Sequence, residues 1–508
     1  MSSGNNYYLS SFFWSTVSKL LNAVLGFITV PLLLGYFGKS EYGIIGIATA
    51  WNGYMHLLDL GMNSGAVKFF SQWAAKGDKE KIFRVARTNI TFYLFVAVVN
   101  ALLLVALAFG GEFLFKVSHE EFLQLRVCFL ILALFSVINW GATSFNQLLI
   151  SDRQFDFTMQ IQSLLVVLRM VLIFVTVKGG LTLYQYFFWL TLIIALAIIP
   201  YAWKCRKDNL IDSVKPAMYW HEFKTVLTFS LSLFALSLFQ VTASQSRPIL
   251  LSIFSENGTD AVADFKIVEV IPAFIITLCG SFSSIFLPRT SEMVIRNNHE
   301  EIMAYLKKWT SIITIIVCVL CFPFILSSKA IISAYVGQPL SYLGKWMALW
   351  CVFLILQLHS IPAFSLIVAN GKTKALVCAT GIACLISMII NAALCKIVPV
   401  GSAVIGYSVY MTILILVYYI YIYKRYLNLD RLDLLKSFLK PLLLAVAACI
   451  LPFFIGLDVS LFDFLDIPSR WSYVLLFTVN SAIWLLCFLL LLVVFRLMPS
   501  IKPIRKNE

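Results

Sequence analysis

The chain has 508 residues, of which 60% are hydrophobic, 15% aromatic and 13% charged, with a formal net charge of +14 and a mean hydropathy of +0.89. Soluble domains are about 45–50% apolar and about 25% charged, so this composition excludes a water-solvated globule and calls for lipid as the solvent. The basic excess sits in short connections between apolar stretches, which makes it a topology signal and argues against a nucleic-acid partner.

The first eleven residues carry no Lys or Arg, and the apolar stretch after them runs for about 22 residues without a small-residue cleavage site. That pattern predicts a first spanning helix, not a removable signal peptide. A spanning helix needs about 20 mostly apolar residues. In chain order the predicted spans are 12–34, 43–68, 88–110, 123–149, 158–178 and 181–203. A basic stretch from Lys204 to Lys224 follows, then 225–253, 263–287, 309–328, 346–369, 375–397, 401–423, 441–457 and 471–495. The thirteenth is short and contains Pro452.

With both termini cytoplasmic, the inner connections hold 26 Lys and Arg and the outer ones seven, with six more within spans. An added or omitted helix would scramble this asymmetry, so it supports fourteen spans. No connection is long enough for a folded domain. Ten of the eleven cysteines lie in apolar stretches, Cys205 being the exception. Cys318 and Cys321 have CxxC spacing but fall mid-span, as small buried hydrophobes do.

Pro31 and Pro248 both lie near the outer end of a span, 217 residues apart. Ser151-Asp152-Arg153 and Asn370-Gly371-Lys372 follow spans four and ten with an offset of 219. The matched offsets predict that spans 7–12 repeat spans 1–6 in the same orientation, a transporter arrangement.

A charge within a span costs about 2.5–3.5 kcal/mol on insertion scales, so such residues face a cavity or a partner. Span two carries Asn52, His56, Asp59 and Asn63 at helical spacing, which places them on one face. Asp59 is read as coupling to a proton or cation, or as the partner of a cation such as Lys19. His56 is either a titrating group or a hydrogen-bonded core residue. Lys68, near the cytoplasmic end, either binds ligand or snorkels. In span five, Gln162, Arg169 and Thr176 recur every seven residues; Arg169 faces a cavity or pairs structurally. Span seven presents Ser230, Ser237, Gln240, Ser244 and Arg247 within about 100°, the wet wall of a cavity or a helix–helix seam of small polar residues. Lys266 and Glu269, at the start of span eight, are three apart and either pair or serve a ligand. Buried cations outnumber carboxylates in these spans, and guanidinium groups suit a phosphate. No nucleotide-binding, metal-ligating or nucleophilic motif is present, so no enzyme activity or resident cofactor is expected.

The run TVSKLLNAVLGFITVPLLLGYFGKSEYGIIGIATA, the stretch from Asp59-Leu60-Gly61 to Lys68, NQLLISDRQFDFTMQIQSLLVVLRM, and PAFSLIVANGKTKA with Asn391 and Gly401 to Gly406 resemble Wzx-type polysaccharide flippases of the multidrug/oligosaccharidyl-lipid/polysaccharide exporter superfamily. At Lys68 such chains more often have Arg. The resemblance implies an all-α polytopic membrane protein with two six-helix lobes around a central cavity and two C-terminal helices. The lobes would be 1–203 and 225–424, joined by a cytoplasmic linker 204–224, with spans 13–14 and a tail in 425–508. It implies export of undecaprenyl-pyrophosphate-linked oligosaccharide repeat units, of O-antigen type, across a bacterial cytoplasmic membrane. Arg169, Arg247, Lys19, Lys68 and Lys266 would bind substrate. Asp59, Glu269, His56 and Asn63 would couple or gate, and Gln162, Gln240 and Ser244 would line the cavity. H+ or Na+ would be the coupling ion, and a polysaccharide polymerase and chain-length regulator would be further partners. The rivals are a drug/cation antiporter or a lipid II flippase of the same superfamily, and a non-transporting scaffold of a glycan assembly complex.

Overall fold

The computed structural model describes residues 2–296, 298–369, 374–426, 429–461 and 468–497. Among them all regular structure is helical: α1 Ser2–Met55, α2 Met62–Ala75, α3 Lys79–Gly110, α4 His119–Ser151, α5 Phe155–Gly179, α6 Leu183–Ala195, α7 Ile198–Lys207, α8 Trp220–Phe254 and α9 Gly258–Arg296. Then follow α10 His299–Leu326, α11 Ser328–Val336, α12 Gly344–Leu358, α13 Ile361–Ala369, α14 Lys374–Leu394, α15 Pro399–Val417, α16 Arg431–Ala447, α17 Ile450–Ile455 and α18 Ser469–Val494. The expected Asn370-Gly371-Lys372 connection and most of the tail lie outside the described residues.

Polar residues at the helix starts satisfy the first free N–H groups. Asp78 accepts from the Lys81 N–H, Asn298 from Glu301, and Asp430 from Leu432 and Asp433. Ser118 with Glu121, and Thr182 with Gln185, form reciprocal capping boxes.

Eleven stretches among the described residues are long and apolar enough to cross a bilayer. The first, Phe13–Asp59, bends at Gly38, whose φ of 79° is open to glycine alone at no cost, so it holds two passes. With α8 and α9, at 35 and 39 residues, the total comes to about fourteen. The chain is an all-α polytopic membrane protein.

Five expected spans are not continuous, 309–328 meeting a break at Ser327 and 441–457 one at Ala448-Cys449. Span 43–68 breaks at His56–Asp59, a 3₁₀ turn followed by Leu60 and Gly61 with φ of 52° and 75°. Span 181–203 is divided between α6 and α7, and 346–369 between α12 and α13 at His359-Ser360. The thirteenth begins ten residues earlier than expected, at Arg431, because its first turns carry Lys436 and Lys440, which a hydropathy criterion rejects.

Two compact units are present: Met1–Ile267 with Thr380–Gly406, and Val268–Ala379 with Tyr407–Glu508. The boundary falls within α9, α14 and α15. In the first unit, α3 packs along α4 and α1 along α5. Glycines in the second half of α1 and in α2 let the backbone press on α8 and α9. A Cβ at Gly43 would collide with the Thr259 carbonyl, and one at Gly65 with the Ser230 hydroxyl. At Gly61 it would lie 2.5 Å from the Ser230 carbonyl oxygen. Near the Gly38 bend, Lys39 pairs with Asp264 at 3.0 Å, and Ser40 and Thr259 both donate to Glu121. At the opposite end the 204–224 segment docks on α3. Thr91 donates to the Ala217 carbonyl at 2.7 Å, the Tyr219 N–H donates to Thr88 at 2.9 Å, and Arg84 meets Glu222 at 3.3 Å.

In the second unit, α18 is anchored by Trp484. Its ring stacks on Phe322 and Phe488 at 5.2 and 5.0 Å, and its Nε1–H donates to the Ala445 carbonyl at 3.0 Å. His359, at the α12–α13 break, lies 3.0 Å from the Tyr419 hydroxyl and 4.0 Å from the Phe438 ring. Tyr419 belongs to a π-helical stretch, Tyr418–Tyr426. All eleven cysteines are free.

Candidate functional site: a polar cavity and a held carboxylate in the first unit

The break after α1 sets the geometry. Asn52 and His56 lie one helical turn apart and line a cavity of about 180 Å³ bounded by α1, α3, α4, α5, α6 and α7. Asn100, Asn139, Asn146 and Gln162 also line it, with Trp140 and Tyr201 as aromatic walls. Gln162 donates to the Tyr201 hydroxyl at 3.2 Å, and Asn100 donates to Ser136 at 2.9 Å. The side-chain oxygens of Asn100, Asn139 and Asn146 are buried with no hydrogen-bond partner. Three carbonyl-type oxygens without donors leave a demand that a ligand or water must meet. The His56 ring packs on Trp140 at 5.4 Å, and Trp140 stacks on Tyr93 at 5.9 Å and 19°.

Asp59 closes the 3₁₀ turn that begins at His56 and is not among the residues that line this cavity. Its Oδ1 accepts from the Tyr93 hydroxyl at 2.5 Å, and its Oδ2 accepts from the Asn63 N–H at 3.0 Å. Tyr93 in turn accepts from Gln147 at 2.6 Å, whose Oε1 accepts from Asn89 at 2.6 Å. Asn89, Tyr93 and Gln147 are fully buried. Asn63 therefore acts through its backbone, holding the carboxylate at the start of α2.

The cations occupy separate places. Arg169 donates to Asn22 Oδ1 at 3.2 Å and to its own helix at Leu165 at 3.4 Å, bridging α5 to α1. Lys19 lies one turn before Asn22 on α1. Arg169 is seven residues beyond Gln162, about 10 Å along the helix, and does not line the cavity. Thr176 bonds back to the Leu172 carbonyl at 2.8 Å. Lys68 sits over the Phe229 ring of α8, 3.5 Å from its centroid. Lys266 packs its stem where a Cβ on Gly46 would touch it, and Glu269 follows one turn later on α9.

The α8 stripe divides. Ser237, Gln240 and Ser244 are exposed, Ser244 bonding back to Val241 at 3.0 Å. Ser230 and Arg247 are buried, Ser230 against the α2 glycines. Sequence reading picked out Asn52 but missed Tyr93, Gln147 and the cavity asparagines Asn100, Asn139 and Asn146. Asn139, Thr143 and Asn146 do recur at helical spacing within an apolar span, and that signal is readable, though uncharged amides carry less cost than the charges that drew attention.

Comparison with known proteins agrees with this architecture. The fold is similar to that of "Lipid II flippase MurJ, inward closed conformation", with a TM-score of 0.70 and 15% identity, covering 96% of this chain and 99% of that one. It is also similar to "Inward-facing conformation of a multidrug resistance MATE family transporter of the MOP superfamily", with a TM-score of 0.65 and 15% identity over 79% of this chain and 92% of that one. No curated protein matches the sequence. Residues 8–294 match the family described as "Polysaccharide biosynthesis protein". With more than half of its length so matched, the chain belongs to the polysaccharide biosynthesis protein family, on the fold of the MOP exporters.

Proposed function

We propose that the chain is a flippase for undecaprenyl-pyrophosphate-linked oligosaccharide repeat units. It would carry them from the cytoplasmic to the outer leaflet of a bacterial cytoplasmic membrane, with both of its termini cytoplasmic. The lobes 1–203 and 225–424 would open alternately to the two sides. Arg169 and Arg247 bind the diphosphate, assisted by Lys19, Lys68 and Lys266. Asp59, held by Tyr93, couples the cycle to an ion or gates it, with His56 and Glu269 as further groups in that step.

The observation that carries this reading is the excess of cations over carboxylates within spans, in a member of a polysaccharide family. Arg169 keeps guanidinium N–H groups beyond those that donate to Asn22 and Leu165, and a planar fork of five donors suits a diphosphate. A cationic drug would favour carboxylates in the binding cavity, and the cavity lining described above contains none. A lipid II flippase is a second reading, favoured by the similarity to MurJ over nearly the whole chain.

The test is deletion of the gene, followed by assay of surface polysaccharide and of lipid-linked repeat units in vesicles of both orientations. Repeat units trapped on the cytoplasmic face are expected. Arg169→Ala with Arg247→Ala should abolish surface glycan while the protein still inserts. Arrested cell-wall growth with normal glycan would instead favour the lipid II reading, and drug sensitivity alone the antiporter.

A further inference from the structure

We infer that the cavity between α1, α3, α4 and α5 receives one sugar ring of the headgroup, and that Asn100, Asn139 and Asn146 select it. This inference rests on the flippase reading and adds a place for the glycan apart from the cations assigned to the diphosphate. Three observations lead to it: the size, the charge and the hydrogen-bonding demand of the space.

The cavity, at about 180 Å³, holds roughly six waters at about 30 Å³ each. That is too large for one bare ion and smaller than the roughly 300–1,000 Å³ of drug-sized sites. It suits a single ring-sized solute. Among the described residues the lining is polar yet carries no carboxylate, Lys or Arg, and its titratable side chains are His56 and Tyr201. A neutral ligand fits that environment, since nothing there would balance an ion.

The demand is for donors. The oxygens of Asn100, Asn139 and Asn146 are buried and unpartnered, and Asn100 is only 3% exposed. A buried acceptor left unmet costs about 1–3 kcal/mol, so three that the protein does not satisfy around one cavity call for an occupant that donates. Sugar hydroxyls are donors and acceptors at once, and would satisfy the oxygens while taking hydrogen bonds from the amide nitrogens. Trp140 offers the apolar wall that the C–H face of a ring requires. His56, exposed at the break after α1, and half-buried Asn52 stand where the ring would enter.

The test uses Asn139→Leu with Asn146→Leu, near-isosteric changes that delete two of the orphaned oxygens. Because those oxygens have no partner in the protein, the variant should melt at the wild-type temperature or above it. A residue with a purely structural role would lower it. The purified full-length protein is melted in detergent with a panel of neutral methyl glycosides, including those of glucose, galactose and N-acetylglucosamine. At least one glycoside is expected to stabilise the wild type and the Arg169→Ala/Arg247→Ala protein alike. The Asn variant should bind it about a hundredfold more weakly, tenfold for each lost acceptor.

In cells lacking the gene, the Asn variant should leave repeat units on the cytoplasmic face. Wild-type export by that variant, in a strain where the deletion itself traps repeat units, would overturn the sugar subsite while leaving the flippase reading intact. Stabilisation by sodium chloride over choline chloride, with none by any glycoside, would overturn it in favour of an ion site. If the deletion traps no repeat units but a glycoside still stabilises the wild type and not the Asn variant, the subsite stands and the flippase reading falls.

Discussion

The hydroxyl of Tyr93 donates to Oδ1 of Asp59 at 2.5 Å and accepts from Gln147 at 2.6 Å, so one phenol on α3 joins the break after α1 to the C-terminal end of α4. Tyr93→Phe removes a group that serves buried Gln147 and half-buried Asp59 at once. Each partner left unmet costs about 1–3 kcal/mol, and Tyr93→Phe should lower stability by about that range. If the phenol also positions the carboxylate for coupling, export should fall more than in a variant destabilised equally elsewhere, such as Phe145→Leu in the same core. Thermal melts paired with surface-glycan assays make the comparison. Equal export in the two would assign Tyr93 to stability alone.

Gly65 has no room for a methyl group, because the hydroxyl of Ser230 occupies that space. Gly65→Ala should destabilise by about 1–3 kcal/mol, the usual cost of overpacking. Ser230→Ala removes the colliding oxygen, which donates back to the Val226 carbonyl in its own helix, so it should restore most of the loss. A double-mutant cycle on melting temperatures measures the coupling. Additive effects would mean that α2 and α8 are not in this contact in the membrane.

How much of this was legible follows from what each side chain costs in lipid. Apolar runs of about 20 residues and the Lys/Arg asymmetry were enough for about fourteen passes, because the bilayer leaves the backbone few alternatives. Lys68, Arg169 and Asp59 stood out because each is a charge where charge is costly. Their partners did not stand out, since Phe229, Asn22 and Tyr93 are unremarkable in an apolar span and are brought near only by the packing. The break at His56–Asp59 was hidden for another reason. Hydropathy is indifferent to backbone angle, and it does not register that Leu60 takes a φ of 52° and Gly61 one of 75° where the Ser230 carbonyl leaves no room for a Cβ. The cavity was half legible, from the spacing of Asn139, Thr143 and Asn146.

Lys68 lies 3.5 Å from the centroid of Phe229 and 5.4 Å from that of Phe69. A cation over an aromatic face gains about 0.5–2 kcal/mol, more when water is excluded. Phe229→Leu keeps the apolar bulk and loses the ring, so it should cost about that much, and nothing in a Lys68→Met background. Lys68→Arg should retain the contact, as guanidinium groups also stack on rings. If Lys68 instead holds substrate, Phe229→Leu should change stability little and Lys68→Met should stop export. Stability and export measured on these four variants and the wild type separate the two roles.

Asp208, just past the end of α7, accepts from Gln154 at 2.6 Å and pairs with Lys204 at 2.9 Å; Gln154 also donates to Asp152 at 2.7 Å. The Lys204 contact, followed by the Gln154 hydrogen bond, holds the Asp208 carboxyl below its ordinary range. A carboxyl lowered in the folded state adds stability above its unfolded value, near 3.9, and loses it as pH falls through the folded value. Stability from this pin should therefore be flat from neutral pH down to about 5 and decline only in more acid solution. Asp208→Asn keeps the hydrogen bond from Gln154 through its carbonyl oxygen but has no proton to gain. Its melting temperature should fall less steeply than that of the wild type between pH 5 and pH 3. Parallel acid limbs in the two proteins would show that the pin between the α4–α5 turn and α7 is too exposed to matter, and that acid lability originates elsewhere.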